Sequence, residues 1–324
     1  QLEFLYERIG SEGMLYVFKH ALTQDVAYDS LLTARRQSLH AAAGQALEKL
    51  YADRLEEVYD RRAYHFAKTN DACKAVTYLS YFAQKAAHGY AHAEAASALQ
   101  EAIDHVSRLP AEDQNQQLLE LTLRYAHSLY YLGRFPESAD LLLKERARLE
   151  EVHDATLAGP YYFWLAHMHS RLGDPERAVR FARQAVEEGQ RCGDSATRGQ
   201  AYTVLTLEGF WSGQSSQGIK DGLQAIKLLE DTPEKYWLGM AYCFLGFNYM
   251  LSGDFRLALE AEARTQQIGE AISDPRIQTY ATFSIGWFTA MMGEWDEAIT
   301  VCSRSLERAP DPASTAYASA FLGY

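Results

Sequence analysis

His88 and His92 stand four residues apart with Glu94 close by. On an unbroken helix that spacing puts two imidazoles on one face, where they could hold a divalent metal. Gly89 lies between them, where the preceding apolar pattern ends, so they read as surface histidines. His167 and His169 are two residues apart and point to different sides of a helix. His20 has no legible nucleophile or acid partner and reads as a structural hydrogen-bonding residue. Arg35-Arg36 could touch phosphates but reads as the solvated start of a helix. No HExxH, G-x-S-x-G, GxGxxG or G-x-x-x-x-G-K-[ST] string occurs in the chain. The expectation is a chain with no catalytic residues, no cofactor and no metal.

The bulk chemistry narrows the function classes further. Apolar residues make up 48% and charged residues 23% of 324, the balance of a water-soluble globular protein. The net charge is −12, with −2 in residues 1–110 and −10 in 111–324. An acidic surface repels phosphate backbones, so a nucleic-acid partner is not expected. Cys73, Cys192, Cys243 and Cys302 are far apart and form no CxxC pair, which suits a reducing cytoplasm. No run of about 18 apolar residues is present, so no membrane partner is expected. The chain begins Gln1-Leu2-Glu3-Phe4 without an initiator Met, and is expected to be part of a longer protein.

The elements that would position any site follow from a repeat. Gly133, Gly173, Gly213, Gly253 and Gly293 are spaced by 40 residues, each ending an apolar-periodic stretch and opening a polar turn. That is the position just past a helix, where glycine takes a left-handed conformation cheaply. Seven residues before them stand Ala126, Ala166, Thr206, Gly246 and Gly286; five residues after stand Ser138, Ala178, Gly218, Ala258 and Ala298. Small residues at fixed offsets in two successive helices predict close antiparallel packing there. Two residues after the glycines come Phe135, Pro175, Ser215, Phe255 and Trp295. The spacing predicts helix pairs over 114–132/135–150, 155–172/175–191, 195–212/215–230, 233–252/255–272 and 275–292/295–309. Asp194 or Ser195, Asp231 or Thr232, and Asp274 are the expected N-caps, with Pro233 and Pro275 in first turns. Pro160 falls inside a predicted helix, which should therefore start near Gly159 or be kinked.

These columns resemble the tetratricopeptide repeat, with its small residue in helix A, turn glycine, aromatic, and early helix-B alanine. Gly246, Gly253, Phe255 and Ala258 match, as do Gly286, Gly293, Trp295 and Ala298. The unit of 40 residues departs from the usual length of about 34, and the third repeat, with Ser215 and Gly218, matches least well. The resemblance covers 114–324. Further helices are expected near 54–68, 72–88 and 92–108, and the chain is expected to end inside a repeat. The fold class expected is all-α: a right-handed solenoid of helix pairs over 53–324.

Residues 1–52 break the pattern. Leu2–Glu7 and Met14–Phe18, joined by Gly10-Ser11-Glu12-Gly13, predict a β-hairpin that must pack on something. Helices should follow from Phe18 to Tyr28 and from Arg35 to Leu50. The string FKHALTQDVAYDSLL, followed by RRQSLH, resembles one in large bacterial signalling proteins of the STAND-class ATPases, often fused to an adenylate/guanylate cyclase domain. That resemblance implies that 1–52 is the remnant of a winged helix. It also implies that 53–324 is the repeat array, and that ATPase and any cyclase domain lie upstream.

In a tetratricopeptide array the A helices line the inner face. The offsets −3, +1, +4 and +5 from the small column place Phe163, His127, His167, Phe247, Trp287, Phe210, Tyr131, Arg171 and Trp211 there. That face is aromatic and nearly uncharged, with His127, His167 and Arg171 as its polar groups. Two readings stand: packed core between helices, or a recognition groove for a protein or peptide partner or a small apolar or aromatic ligand. A third partner is the upstream part of the same chain. The Lys/Arg clamp by which co-chaperone tetratricopeptide domains hold carboxylates is not visible. An α-helical enzyme is the remaining class, with no cluster of residues to support it.

Overall fold

A computed structural model describes residues 4–10, 13–152, 154–310 and 312–323. A hairpin of β1 (Leu5–Gly10) and β2 (Gly13–Phe18) comes first, then α1 (Ala21–Asp29), α2 (Thr33–Leu50), a 3-10 turn (Leu55–Val58) and α3 (Tyr59–Ala67). The chain continues through α4 (Ala72–His88), α5 (His92–Val106), α6 (Ala111–Tyr131), α7 (Phe135–Val152), α8 (Ala155–Arg171) and α9 (Pro175–Cys192). It ends with α10 (Ser195–Trp211), α11 (Ser215–Leu229), α12 (Lys235–Leu251), α13 (Phe255–Ala271), α14 (Pro275–Met291), α15 (Trp295–Arg308) and α16 (Pro312–Gly323). The elements fall into two compact units, Gln1–Gln114 and Asn115–Tyr324. Among the described residues no helix is long and apolar enough to cross a membrane.

In the first unit the strands pair antiparallel, Leu5 opposite Phe18 and Gly10 opposite Gly13, so β1 runs three residues beyond its predicted end. Ile9, 86% exposed, and Tyr16, 65% exposed, show that the described part of this unit does not supply the packing expected for the hairpin. His20 precedes α1, and its carbonyl accepts from Thr23 N (3.0 Å), while its side chain makes no capping bond. The unit is held by α2 against α3 and α3 against α4. At Gly44 a Cβ would stand 2.7 Å from Phe66 Cζ, so the ring of α3 lies directly on the backbone of α2. Glu48 gathers Arg62 (3.1 Å), Lys74 (3.0 Å) and Tyr78 (2.6 Å) from the next two helices. His88 ends α4 and His92 begins α5, with Tyr90 at φ 60 between them, so the two imidazoles belong to different helices.

The second unit carries the 40-residue pairs. Gly133, Gly173, Gly213, Gly253 and Gly293 sit between paired helices with φ of 73, 72, 71, 82 and 91. The residue after each glycine donates its N–H back to a carbonyl five residues earlier: Arg134 to Leu129 (2.9 Å), Asp174 to His169 (2.9 Å), Asp254 to Tyr249 (3.0 Å). This closes the A helix. Where that residue is aspartate it also opens the B helix: Asp174 accepts from Arg177 N (3.1 Å) and Asp254 from Leu257 N (3.1 Å). One aspartate thus serves two helix ends, which keeps the connection short.

Burial separates the two helix types. In α9 the buried residues Ala178, Phe181, Ala182, Ala185 and Gly189 form a single stripe, leaving the other face to solvent. In α12 residues are buried all round, from Trp237 to Met250, because an A helix is covered by neighbours on several sides. Both small columns are buried. A Cβ on Gly286 would lie 2.5 Å from Cys302 Sγ, and one on Gly246 3.3 Å from the Ala258 carbonyl. Three details differ from the pattern. The helix predicted from Pro233 begins at Lys235, with Glu234 at its N-cap, and Thr232 Oγ1 accepts from Glu234 N (3.3 Å). Pro160 does not start its helix: Asp154 caps α8 through Thr156 N (2.9 Å), and the proline lies within the second turn. Gly193, which the period does not mark, ends α9 at φ 74.

Glu262 of α13 is buried beside Gly246, with Cys243 and Ser284 as polar neighbours and neither carboxyl oxygen in hydrogen-bonding geometry. Burial pushes its carboxyl well above the usual carboxylate range, and those two neighbours offset only part of that. The native state therefore holds this proton after the unfolded chain has released it. Glu262 lends stability below the unfolded pKa and loses it as pH rises toward the folded value. Glu262→Gln, which cannot ionise, is expected to shrink the loss of stability between pH 5.5 and 8.5 in urea melts. An unchanged difference between those two pH values would contradict this account.

Candidate functional site

All nine residues picked out from the sequence lie on A helices: His127 and Tyr131 on α6, Phe163, His167 and Arg171 on α8, Phe210 and Trp211 on α10, Phe247 on α12, Trp287 on α14. Neighbouring A helices touch, which brings these residues together in two groups. Phe210 meets Trp211 (4.9 Å between ring centroids), Phe247 (5.3 Å) and Trp287 (6.0 Å), and Phe247 meets Trp287 edge-on (5.7 Å). Trp211 is 61% exposed, Phe210 and Trp287 are half-buried, and Phe247 is buried with one edge on open space. That space is a cavity of about 410 Å³, walled by Phe210, Trp211, Phe244, Phe247 and Phe283 with Leu207. Its polar lining is Ser170, Arg171, Glu208, Tyr280 and Tyr317.

The second group is packed. Phe163 and His167 are each 1% exposed. Trp237 of α12 stands edge-on to both, at 4.9 Å and 5.0 Å, and Tyr130 lies 4.9 Å from the imidazole. His167 Nε2 is buried without a partner, and burial, with Arg171 and His127 adding to it, holds the imidazole well below its ordinary pKa. The ring is neutral and acts as a flat core side chain. His127 packs on Tyr131 (4.9 Å) and Trp164 (4.8 Å), half-buried. Phe163 and His167 are thus covered by other helices, whereas Phe210, Trp211 and Phe247 border open space.

Arg171 ends α8 between the two groups. Its Nη1 donates to Tyr317 Oη (2.8 Å) on α16, and the guanidinium lies 5.8 Å from that ring's centroid. Burial works against the charge, but Tyr280, Tyr130, Tyr317 and Tyr236 around it outweigh that and raise its pKa, so it stays protonated. Its Nε is buried with no partner. On the far side a cleft of about 110 Å³ is lined by Tyr130, Tyr131, Arg171, Tyr236, Arg276 and Tyr280, with Tyr317 and Ser314 from α16. Glu208 donates no charge to this arginine; it is engaged by the Ser170 hydroxyl, and burial raises its pKa. Among the described residues no group of three His, Cys, Asp or Glu side chains is placed to hold a metal.

Several lining residues were outside the offsets used. Tyr236 and Tyr280 lie at −10 and −6 from the small column, on the same helical stripe continued one or two turns toward the N-terminus. Continuing the stripe would have found them. Glu208 and Tyr317 had no such signal: one faces the cavity from the side of α10, and the other comes from α16, outside the five predicted helix pairs.

No protein-family model matches the chain, and no curated protein sequence does. Solved structures do. A Rap protein complexed with Competence and Sporulation Factor superposes with a TM-score of 0.62 at 15% identity, covering 89% of this chain and 80% of that one. NprR in complex with its cognate peptide NprX gives 0.62 at 15% identity, covering 90% and 82%. A Signal Transduction ATPase with Numerous Domains protein with a tetratricopeptide repeat sensor, from Pyrococcus horikoshii, gives 0.60 at 12% identity. It is matched over 98% of this chain but 46% of its own, so this chain spans just under half of its length. Identities this low speak for the fold alone, and the fold is an all-α, tetratricopeptide-like solenoid preceded by a two-stranded hairpin.

Proposed function

We propose that this chain is a non-catalytic sensor module that binds a protein or peptide partner through the aromatic face of its A helices. The observation that carries the reading is the open cavity of about 410 Å³ under Phe210, Trp211 and Phe247, with the indole of Trp211 61% exposed at its edge. An exposed aromatic beside a preformed apolar cavity is what a binding partner covers. The peptide-bound NprR and the factor-bound Rap protein, alike in fold, support a peptide as the occupant. The test is capture of peptides from a synthetic pool by the immobilised chain, followed by titration of a retained peptide. Trp211→Ala is expected to weaken that binding by about 2 kcal/mol. Unchanged affinity would remove this face from consideration.

A small apolar or aromatic inducer is the second reading, favoured by a cavity volume within the range of about 300–1,000 Å³ that such ligands occupy. In both readings the module belongs to a cytoplasmic signalling protein. Residues 1–52 are then what remains of a winged helix and 53–324 the array, with upstream ATPase or cyclase domains as the regulated partner. The chain alone should neither bind nor hydrolyse ATP nor form a cyclic nucleotide, since it has no phosphate-cradling loop. Turnover by purified protein that a point mutation in this chain abolishes would overturn that.

A further inference from the structure

Arg171 is a charge of the second unit whose buried Nε has no hydrogen-bond partner. Among the described residues no carboxylate pairs with it; its acceptors are phenol oxygens, Tyr317 Oη at 2.8 Å and that of Tyr280. A guanidinium carries five N–H donors in a planar fork, and the buried Nε of this one has no partner. Removing such a charge from water is costly unless something anionic completes it. The tyrosines around it favour its charged form with ring faces and hydroxyls, but none of them is a carboxylate.

The surroundings point the same way. Residues 111–324 carry a net −10, yet the cleft that Arg171 shares with Arg276 has no acidic residue in its lining. Arg276 lies over the Tyr131 ring, 4.5 Å from its centroid, as a second cation in the same wall. The larger cavity on the other side of Arg171 has one carboxyl, Glu208, and the Ser170 hydroxyl engages it. The two spaces share Arg171, Tyr280 and Tyr317, so a ligand in either reaches the guanidinium. One end offers a cationic fork among phenols, and the other an apolar wall of phenyl and indole rings.

We propose that Arg171 is the carboxylate-receiving point of this binding face, and that the ligand is a short peptide. It sets a carboxylate against Arg171 and an apolar side chain against Phe210, Trp211 and Phe247. The proposal rests on the reading of this face as a peptide-binding one and adds the chemistry it selects. A carboxylate matches the guanidinium fork with two parallel hydrogen bonds, which a neutral amide cannot do. The carboxylate comes either from the peptide's C-terminus or from an Asp or Glu side chain.

The experiment passes a pool of N-acetylated octapeptides over the immobilised full chain, once as free acids and once as C-terminal amides. Retention of peptides that join an aromatic or aliphatic residue to a carboxylate is expected. Retention confined to the free acids assigns the carboxylate to the C-terminus, and retention of acidic sequences from both pools assigns it to a side chain. Arg171→Gln is expected to weaken the retained acidic peptides about 30-fold, the size of effect seen when one partner of a buried charge pair is removed. Should that variant fail to fold, Arg171→Lys keeps the charge and loses the fork. It is expected to weaken acidic peptides about tenfold, and acid-free ones not at all. Retention without preference for a carboxylate, or equal binding by the variants, overturns the proposal and leaves the peptide-binding reading standing. A wild-type chain that retains no peptide overturns both.

Discussion

Replacing Phe163 with alanine is expected to destabilise the chain by about 3–5 kcal/mol, whereas Trp211→Ala should change its stability by less than about 1 kcal/mol. The two residues sit on the same A-helix face, and their burial differs completely. Phe163 is 1% exposed, edge-on to Trp237 at 4.9 Å and 5.3 Å from Trp164. Truncating it leaves a ring-sized void among side chains already locked against one another, and interiors relax only partly into such voids. Trp211 is 61% exposed and touches Phe210 at the cavity edge, so its removal takes away surface that water already wets. Urea melts of the two variants with unchanged m-values measure the difference. Equal losses would mean that the aromatic face is one continuous core and not a face with an open end.

The second large effect is expected at Gly218. A Cβ there would stand 2.1 Å from Asn248 Oδ1 and 2.6 Å from its Cγ. Asn248 is fully buried, and its Nδ2 donates to the carbonyls of Thr206 (2.9 Å) and Phe244 (2.8 Å), tying α10 to α12. Gly218→Leu must expel this amide. Overpacking costs about 1–3 kcal/mol and an orphaned buried polar group about as much again, so a loss of about 4 kcal/mol is expected. Gly253→Ala is the comparison, since a Cβ there has nothing within 4 Å and φ is +82. It should lose about 1–2 kcal/mol from the left-handed backbone alone. A Gly218→Leu variant that melts with the parent would show that α11 does not approach α12 as described.

Gly218 also shows how the unit with the weakest repeat match still packs closely. The third unit matches the repeat pattern least well, having Ser215 where three of the others have an aromatic. Its helices nevertheless cross closely, because a second glycine, Gly209, meets Gly218 backbone to backbone: a Cβ on Gly209 would be 2.7 Å from Gly218 Cα. Closer approach of the two backbones stands where three of the other units set an aromatic ring.

The order and pairing of helices were legible in the residues because their causes are local. A left-handed φ selects glycine at each of five turns, an aspartate after two of them caps the next helix, and small residues mark where neighbours in sequence cross. The start of α12, and the continuous α8 through Pro160, depended on packing that overrides such signals. What the aromatic stripe does was decided only by the tertiary structure. Phe163 and His167 became core because Trp237 of α12 reaches across to cover them. Arg171 donates to Tyr317, 146 residues away. Covering is a long-range event, and a periodic stripe of rings carries no mark of which neighbours will reach it. The sequence by itself thus determined that there would be an aromatic A-helix face. Three-dimensional packing decided which end of it closed into core and which end stayed open beside Arg171.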